Sequence, residues 1–366
     1  MDPAKEYQAA GLYDPDAPDA AARLALLEHL RAQGTSLEEM VAAQARDALH
    51  ATASDQRIRP GRRMSVQEVA REVGISVDLL RTITVASGVV IPDDDYRETD
   101  IETFRLFAGA QHLFGEEALL QFTRVVGAAM ARVAEAAVLL FIVNVEGPLK
   151  QQGAAPAEMA KAAELGVDSL SVVPTVMDGL FRLHVEAAIA RQREAGRSER
   201  GPGLFELAVG FVDLVGFTPL TVDLDVQALA DFVERFEARA NEIVATGGGR
   251  VVKHIGDEVM FAAVDPAAAC EIALQLVDEF GGGVGVEPHA GVGFGNVLAR
   301  GGDYYGSVVN LASRIASIAV PGEVLVTAEL HAAVGERTSL RFEPAGRRQL
   351  KGFAEPVPLW SVGRAG

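Results

Sequence analysis

Between residues 18 and 193 apolar side chains recur every three or four positions, the period of helices that bury one face. Residues 19–33, 36–50 and 99–113 carry the pattern behind Asp19, Ser36 and Thr99, residue types suited to helix caps. Residues 116–145 are apolar nearly all round. That predicts a long helix buried at the centre of a bundle, ended by Gly147-Pro148. Another helix is expected from Ser169 into the basic stretch 191–200, with Pro174 marking a start or a kink. This half reads as all-α.

After Leu204 the period changes. Residues 204–213 read as a strand, followed by the turn Gly216-Phe217-Thr218-Pro219. Residues 225–245 place Leu229, Phe232, Val233, Phe236, Ala240 and Ile243 on one helical stripe, stopped by Gly247-Gly248-Gly249. Two strands, 250–255 and 259–264, flank a tight turn at Gly256-Asp257. A helix at 266–280, a strand at 289–297, a helix at 306–319 and a strand at 323–327 complete the pattern. The order β-α-β-β-α-β predicts an α+β fold, a ferredoxin-like sheet with helices on one face. Between the halves, residues 191–203 are charged and end in Gly201-Pro202-Gly203. They divide the chain into a helical domain (1–190), a linker (191–203) and a second domain (204–366). The linker is either a passive tether or a segment that switches between helix and coil.

The 366 residues suffice for two or three cores, and 49% hydrophobic with 23% charged residues is the balance of a globular protein. A net charge of −18 disfavours nucleic acid and anionic membrane as partners. The single cysteine, Cys270, lies in an apolar stretch and allows no internal disulfide, which suits a reducing cytosol. The N-terminus lacks the apolar core of a signal peptide. The most apolar run, 133–145, is shorter than the roughly 20 residues a spanning helix needs. The expectation is a cytoplasmic protein with no membrane span.

Asp213 ends the first predicted strand of the second domain and Asp257 sits in the hairpin turn. In a ferredoxin-like sheet those two positions are adjacent, so carboxylates distant in sequence can meet. Such hard oxygen ligands suit Mg²⁺ or Mn²⁺, usually bound by one or two carboxylates plus substrate phosphates. The turn through Leu214, Val215, Gly216, Phe217 and Thr218 offers backbone N–H groups to phosphate oxygens.

Three blocks make this more specific: Phe211-Val212-Asp213-Leu214-Val215-Gly216-Phe217-Thr218, Lys253-His254-Ile255-Gly256-Asp257-Glu258 and Val309-Asn310-Leu311-Ala312-Ser313-Arg314. They resemble the signature blocks of class III nucleotidyl cyclases over roughly residues 205–362. The resemblance implies a homodimer with head-to-tail active sites and two divalent metal ions, Mg²⁺ or Mn²⁺, on Asp213 and Asp257. It implies that Lys253 and Asp303 recognise the adenine of ATP in the partner's site, that Asn310 orients the ribose, and that Arg314 meets the charge developing on the α-phosphate. The expected reaction is adenylate cyclisation, with guanylate cyclisation as the alternative. Lysine plus carboxylate matches the ring nitrogen and amino group of adenine, whereas guanine presents the opposite pattern. Where many members read Gly-Asp after the aromatic residue, this chain has Gly306-Ser307.

In the helical half, residues 64–81 resemble a helix-turn-helix, with Ala70 and Gly74 at the crossing and Ser76 as a cap. The acidic total and the apolar residues 83–91 favour a structural helix pair over DNA binding. The half also resembles regulatory domains attached to actinobacterial cyclases, including pH-responsive ones. That implies restraint of the catalytic domain through the linker. His184 and His254 are candidate pH sensors. The apolar helix at 125–145 is a packed core helix or, in a dimer, the wall of a lipid pocket.

Overall fold

A computed structural model of the chain describes residues 3–46, 49, 52, 57–195, 203–217, 224–281, 286–335 and 340–365. Residue contacts divide the chain into two compact units, Met1–Phe181 and Arg182–Gly366. Of the segment expected to link two domains, residues 191–195 are helical and 196–202 lie outside the described residues.

In the first unit α1 (Pro3–Ala9), α2 (Ala20–Ala32) and α3 (Leu37–Gln44) bury Tyr7, Leu26, Leu27, Leu30 and Met40. Ser36 and Glu39 form a reciprocal capping box that starts α3. Strand β1 (Arg63–Met64) leads into α4 (Val66–Val73) and α5 (Val77–Ala86), and β2 (Tyr96–Arg97) pairs back onto β1. Residues 64–81 are therefore a tight helix pair. Ser65 and Glu68 box the start of α4, Gly74 ends it at φ 83°, and Ser76 caps α5. Val66, Val69, Leu80, Ile83 and Tyr96 form its core. The β1–β2 ladder is the one departure from an all-α reading among the described residues of this unit.

Next come α6 (Asp100–Phe114) and α7 (Glu116–Phe141). Gly147-Pro148 does not end the long helix as the sequence suggested. A π-helical turn, Ile142–Glu146, carries it into α8 (Gly147–Gln151). Proline cannot donate to a carbonyl four residues back, and the wider turn accommodates it. The continuous helix is thus 36 residues, 116–151, long and apolar enough to cross a membrane by length and composition. The estimate based on the run 133–145 was too short because it stopped at charged residues. Nor is this helix buried. Val138, Leu139, Leu140 and Val143 are exposed, Leu140 by 67%. An apolar circumference needs cover on every side, and a single chain supplies it on part of one. Helix α9 (Pro156–Leu170), which the sequence reading did not anticipate, packs on α2 and brings Gly166 against the Phe141 ring. Its buried Glu164 is held by His29 and by Arg57 at 3.2 Å. Helix α10 (Val173–Ala195) begins at Val173, with Pro174 in its first turn.

The second unit is built on β3 (Leu204–Val215), α11 (Val226–Thr246), β4 (Arg250–Ile255), β5 (Glu258–Ala263), α12 (Pro266–Phe280) and β6 (Glu287–Arg300). There follow β7 (Asp303–Tyr305), α13 (Ser307–Ala316), β8 (Val324–Thr327), α14 (Ala328–Val334), β9 (Leu340–Arg348) and β10 (Val357–Arg364). The sheet runs β4-β5-β3-β6-β8-β10-β9, with β7 paired to β6. Its first four strands have the ferredoxin-like order, and β6–β8 is a parallel pair.

Helices do not keep to one face of the sheet. Ala208, Val212 and Leu214 face a core with Phe236, Ile243, Ile272 and Leu276 of α11 and α12. The alternate residues Leu207, Val209 and Phe211 meet Ala312 and Ala316 of α13 on the other side. The reason is legible in β3, which is buried at six consecutive positions, 207–212, rather than at every second one. Helix α13 lies close on β6. A Cβ at Gly291 would fall on the backbone of Ala312 and Ala316.

Candidate active site

The register of the sheet assembles the acidic group. Val212 of β3 pairs with Val259 of β5, so the next residue on β3, Asp213, lies beside the β4–β5 turn. That turn, with Gly256 at φ 66°, carries Asp257, and Glu258 starts β5. Three carboxylates therefore share one sheet end. His289 of β6 pairs with Asp213, and its ring Nε2 is 3.5 Å from the carboxylate. Both ring nitrogens lack a well-formed hydrogen bond, so the contact is a loose electrostatic one between a buried ring and a partly exposed carboxylate.

The group's titration follows from these neighbours. The His289 ring holds the Asp213 carboxyl below the usual carboxylate range, outweighing the burial that raises it. Burial raises Asp257, and the Asp213 charge adds to that. Glu258 is pushed up to about 7, first by burial and then by the Asp213 and Asp257 charges. Among the described residues no three His, Cys, Asp or Glu side chains converge as a closed metal cage. The excess negative charge of this cluster fits divalent cations whose remaining ligands are water and substrate oxygens.

The turn after Asp213 divides into two parts. Leu214 is buried in the core and Val215 is still in β3, paired with Glu287. Gly216, at φ 90°, makes the turn, and the Phe217 ring packs on Phe232 with centroids 5.7 Å apart. Thr218 lies outside the described residues.

A second group forms at the far end of β4. Lys253 Nζ donates to Asp303 Oδ2 at 2.6 Å, and Asp303 Oδ1 accepts the Tyr304 backbone N–H at 2.8 Å. Arg250 donates to the Gly302 carbonyl at 3.0 Å, with its guanidinium 5.1 Å from the Tyr304 ring centroid. Asn310 and Arg314 lie four residues apart on α13 and are both exposed. Among the described residues neither side chain has a hydrogen-bond or ion-pair partner. His254, beside Lys253, is half-buried edge-on to Phe236, and burial lowers its pKa. His184 is exposed on α10.

Known proteins match both halves. The adenylate and guanylate cyclase catalytic domain matches residues 204–361, and the adenylate cyclase regulatory domain matches residues 4–189. An uncharacterized protein of Mycobacterium tuberculosis (strain H37Rv) is 31% identical over 362 residues, covering 97% of this chain and 93% of its own. An adenylate cyclase of Streptomyces coelicolor is 35% identical over 274 residues, 72% of this chain and 70% of its own. The chain belongs to the class III adenylate cyclase family. A pH-sensitive adenylate cyclase of M. tuberculosis (strain CDC 1551) is 29% identical over 367 residues, 94% of this chain and 88% of its own.

Three residues that lie beside these candidate groups are not marked by the sequence pattern. His289 looked like any residue at a strand start, since nothing local reveals that its partner across the sheet is Asp213. Glu258 was quoted in a block but given no part, because its burial is tertiary. Arg250 stood only as the first residue of a strand.

Proposed function

We propose that the chain converts ATP to 3′,5′-cyclic AMP and pyrophosphate, at sites shared between two copies in a homodimer. The observation that carries the choice of base is the 2.6 Å contact of Lys253 with Asp303, a donor and an acceptor side by side. Together they match the ring nitrogen and the exocyclic amino group of adenine. Guanine, with a carbonyl in place of the amino group, leaves the carboxylate without a donor.

Asp213 and Asp257 are the residues that would hold two divalent cations, Mg²⁺ or Mn²⁺, and their like-charge crowding supports this. When bound, such ions acidify the ribose 3′-hydroxyl and neutralise charge on the pyrophosphate. The chain's own groups do the rest. The backbone at Gly216 and Phe217, with Leu214, Val215 and Thr218 around it, cradles the phosphates. Asn310 orients the ribose. Arg314 donates to the α-phosphate oxygens as charge grows there. The 3′-oxygen forms its bond to the α-phosphorus, the bond to the bridging oxygen breaks, and pyrophosphate leaves. The hydroxyl proton passes to solvent.

The same reading gives the bare apolar face of α7 to a second copy of the chain. The helical unit then dimerises and restrains the catalytic domains through the segment 191–203, with pH or a lipid bound at the apolar face as its signal. The pH-sensitive relative supports the first choice. A cytosolic setting fits the buried free thiol of Cys270.

The test is purified protein with ATP or GTP and Mg²⁺ or Mn²⁺, assayed for cyclic product, with Asp213→Ala as control. Cyclic AMP from ATP and none from the variant is the expected result. No cyclic AMP at any pH with either metal overturns the reading. Truncation of residues 1–200 should raise turnover, and an unchanged or lower rate removes the restraint.

A further inference from the structure

The carboxylate of Asp303 sits at the tip of a hairpin that has little stiffness of its own. Strand β7 is three residues long and pairs with β6 alone, through Leu298, Ala299 and Arg300. The connecting Gly301 and Gly302 both have positive φ, 63° and 81°. Such a turn suits a two-residue hairpin, but glycine leaves it the most backbone freedom of any residue. In the sheet β5 and β3 stand between β4 and β6, so no ladder fixes this tip against the strand that carries Lys253. Side chains must do it.

Arg250 is placed for that work. It starts β4, paired with Ala262 of β5, three residues before Lys253. Its Nη2 holds the carbonyl of Gly302, the residue before Asp303. Its guanidinium covers the ring of Tyr304, the residue after. One planar, permanently charged group thus brackets Asp303 on both sides, while the carboxylate itself stays free for Lys253. Arg250 also lines a cavity of about 320 Å³ with Phe205, Leu207 and Tyr304. It is part-buried there, and the Gly302 carbonyl and the Tyr304 ring are what hold its guanidinium.

We propose that Arg250 is the positioning residue for Asp303, and through it a determinant of the choice between adenine and guanine. Its contacts are with Gly302 and Tyr304, so the role acts through Asp303. This rests on the reading of Lys253 and Asp303 as the base-recognising pair. Without Arg250 only the Lys253 contact ties the tip to β4, Asp303 spends part of its time away from the base, and the loss falls on the discrimination between purines. A structural role alone would instead reduce turnover of both nucleotides together.

The experiment compares the full-length protein with Arg250→Gln and Arg250→Lys in two measurements. One is kcat and KM for ATP and for GTP. The other is calorimetric affinity for 3′-deoxy-ATP and 3′-deoxy-GTP, which lack the attacking hydroxyl and report base choice without turnover. Arg250→Gln should raise KM for ATP about tenfold with a smaller change in kcat, the pattern of lost ground-state binding. The ratio of 3′-deoxy-ATP to 3′-deoxy-GTP affinity should fall by a similar factor. Arg250→Lys should recover part of it, since a lysine still reaches a carbonyl but lacks the planar fork. If the wild type makes cyclic AMP and Arg250→Gln leaves both ratios unchanged, the role of Arg250 falls while the cyclase reading stands. If the wild type makes no cyclic AMP yet shows an adenine preference that Arg250→Gln abolishes, the outcome reverses. A wild type that binds both analogues alike overturns the role of Arg250, for there is then no preference to set.

Discussion

His289 of β6 stands in register with Asp213 of β3, with its Nε2 3.5 Å from the carboxylate. A buried imidazole thereby faces the residue assigned to metal binding, and it holds that carboxyl below its ordinary range. A carboxylate with a lowered folded pKa keeps this interaction above its ordinary pKa and loses it as pH falls through the lowered value. His289→Asn removes the effect. The acidic limb of the kcat/KM profile should then move to higher pH, because Asp213 protonates sooner. A pH–rate series over the acid range checks it, and an unmoved limb separates His289 from the titration of the site.

Glu258 behaves in the opposite sense. Its pKa is raised to about 7 by burial and by two neighbouring carboxylates. The folded state therefore binds a proton that the unfolded state has released between the ordinary carboxylate range and pH 7. Stability is full below that range and declines as pH rises through about 7. Glu258→Gln, which carries no charge, should melt higher than the wild type at pH 8, with the gap closing at pH 4.5. Thermal melts at the two pH values decide it.

Gly291 sets the height of α13 over the sheet. A methyl there meets backbone atoms of Ala312 and Ala316, which cannot rotate away. Gly291→Ala should cost about 1–3 kcal/mol in stability, the usual range for overpacking. It should also lower kcat, since Asn310 and Arg314 ride on the displaced helix. Denaturant unfolding and initial rates on the same preparation measure both effects.

If active sites are shared between chains, two inactive variants should rescue each other. Asp213→Ala and Arg314→Ala homodimers lack opposite halves of each site. Mixed and allowed to exchange, they form heterodimers with one intact site, and about a quarter of wild-type activity should return. No recovery, with exchange verified by differently tagged chains, places the whole site in one chain.

Leu140 lies on the bare face of the long helix, 67% exposed in the single chain. An exposed leucine tolerates a charge, and a leucine at a subunit interface does not. Leu140→Glu should convert dimer to monomer in light scattering, without loss of helical signal. A wild type that stays with detergent micelles or vesicles, and is released by this change, identifies a membrane as the cover instead.

Much of the catalytic half was legible from local pattern. The helix at 266–280 was read to its ends, because Asp265 caps it and Pro266 occupies its first position. The stripe from Leu229 to Ile243 marked α11, and the turn at Gly256-Asp257 separated β4 from β5. The three blocks single out Asp213, Asp257, Asn310 and Arg314 as candidates for the site proposed above. The helical half was read less completely. Helix α9 begins with Pro156 after a glycine–alanine stretch that resembles a loop, and the π turn at 142–146 hid the continuation past Pro148. At Pro148 local rules point to a stop and the wider turn overrides them, whereas Pro156 with Glu158 behind it is a start signal obscured by the loop-like residues before it.

What the sequence determined by itself was the order of elements and the kinds of side chain at their ends. Spacing and capping act within a few residues, so a linear reading can see them. Only the tertiary structure decided that Lys253 meets Asp303 fifty residues away, that His289 rather than its neighbours faces Asp213, and that α13 covers the second face of the sheet. It also decided that the most apolar helix lies bare in a single chain. Strand register and the presence of a covering surface depend on which segments come together. A period of two or 3.6 along the chain carries the need for a partner, but not its identity.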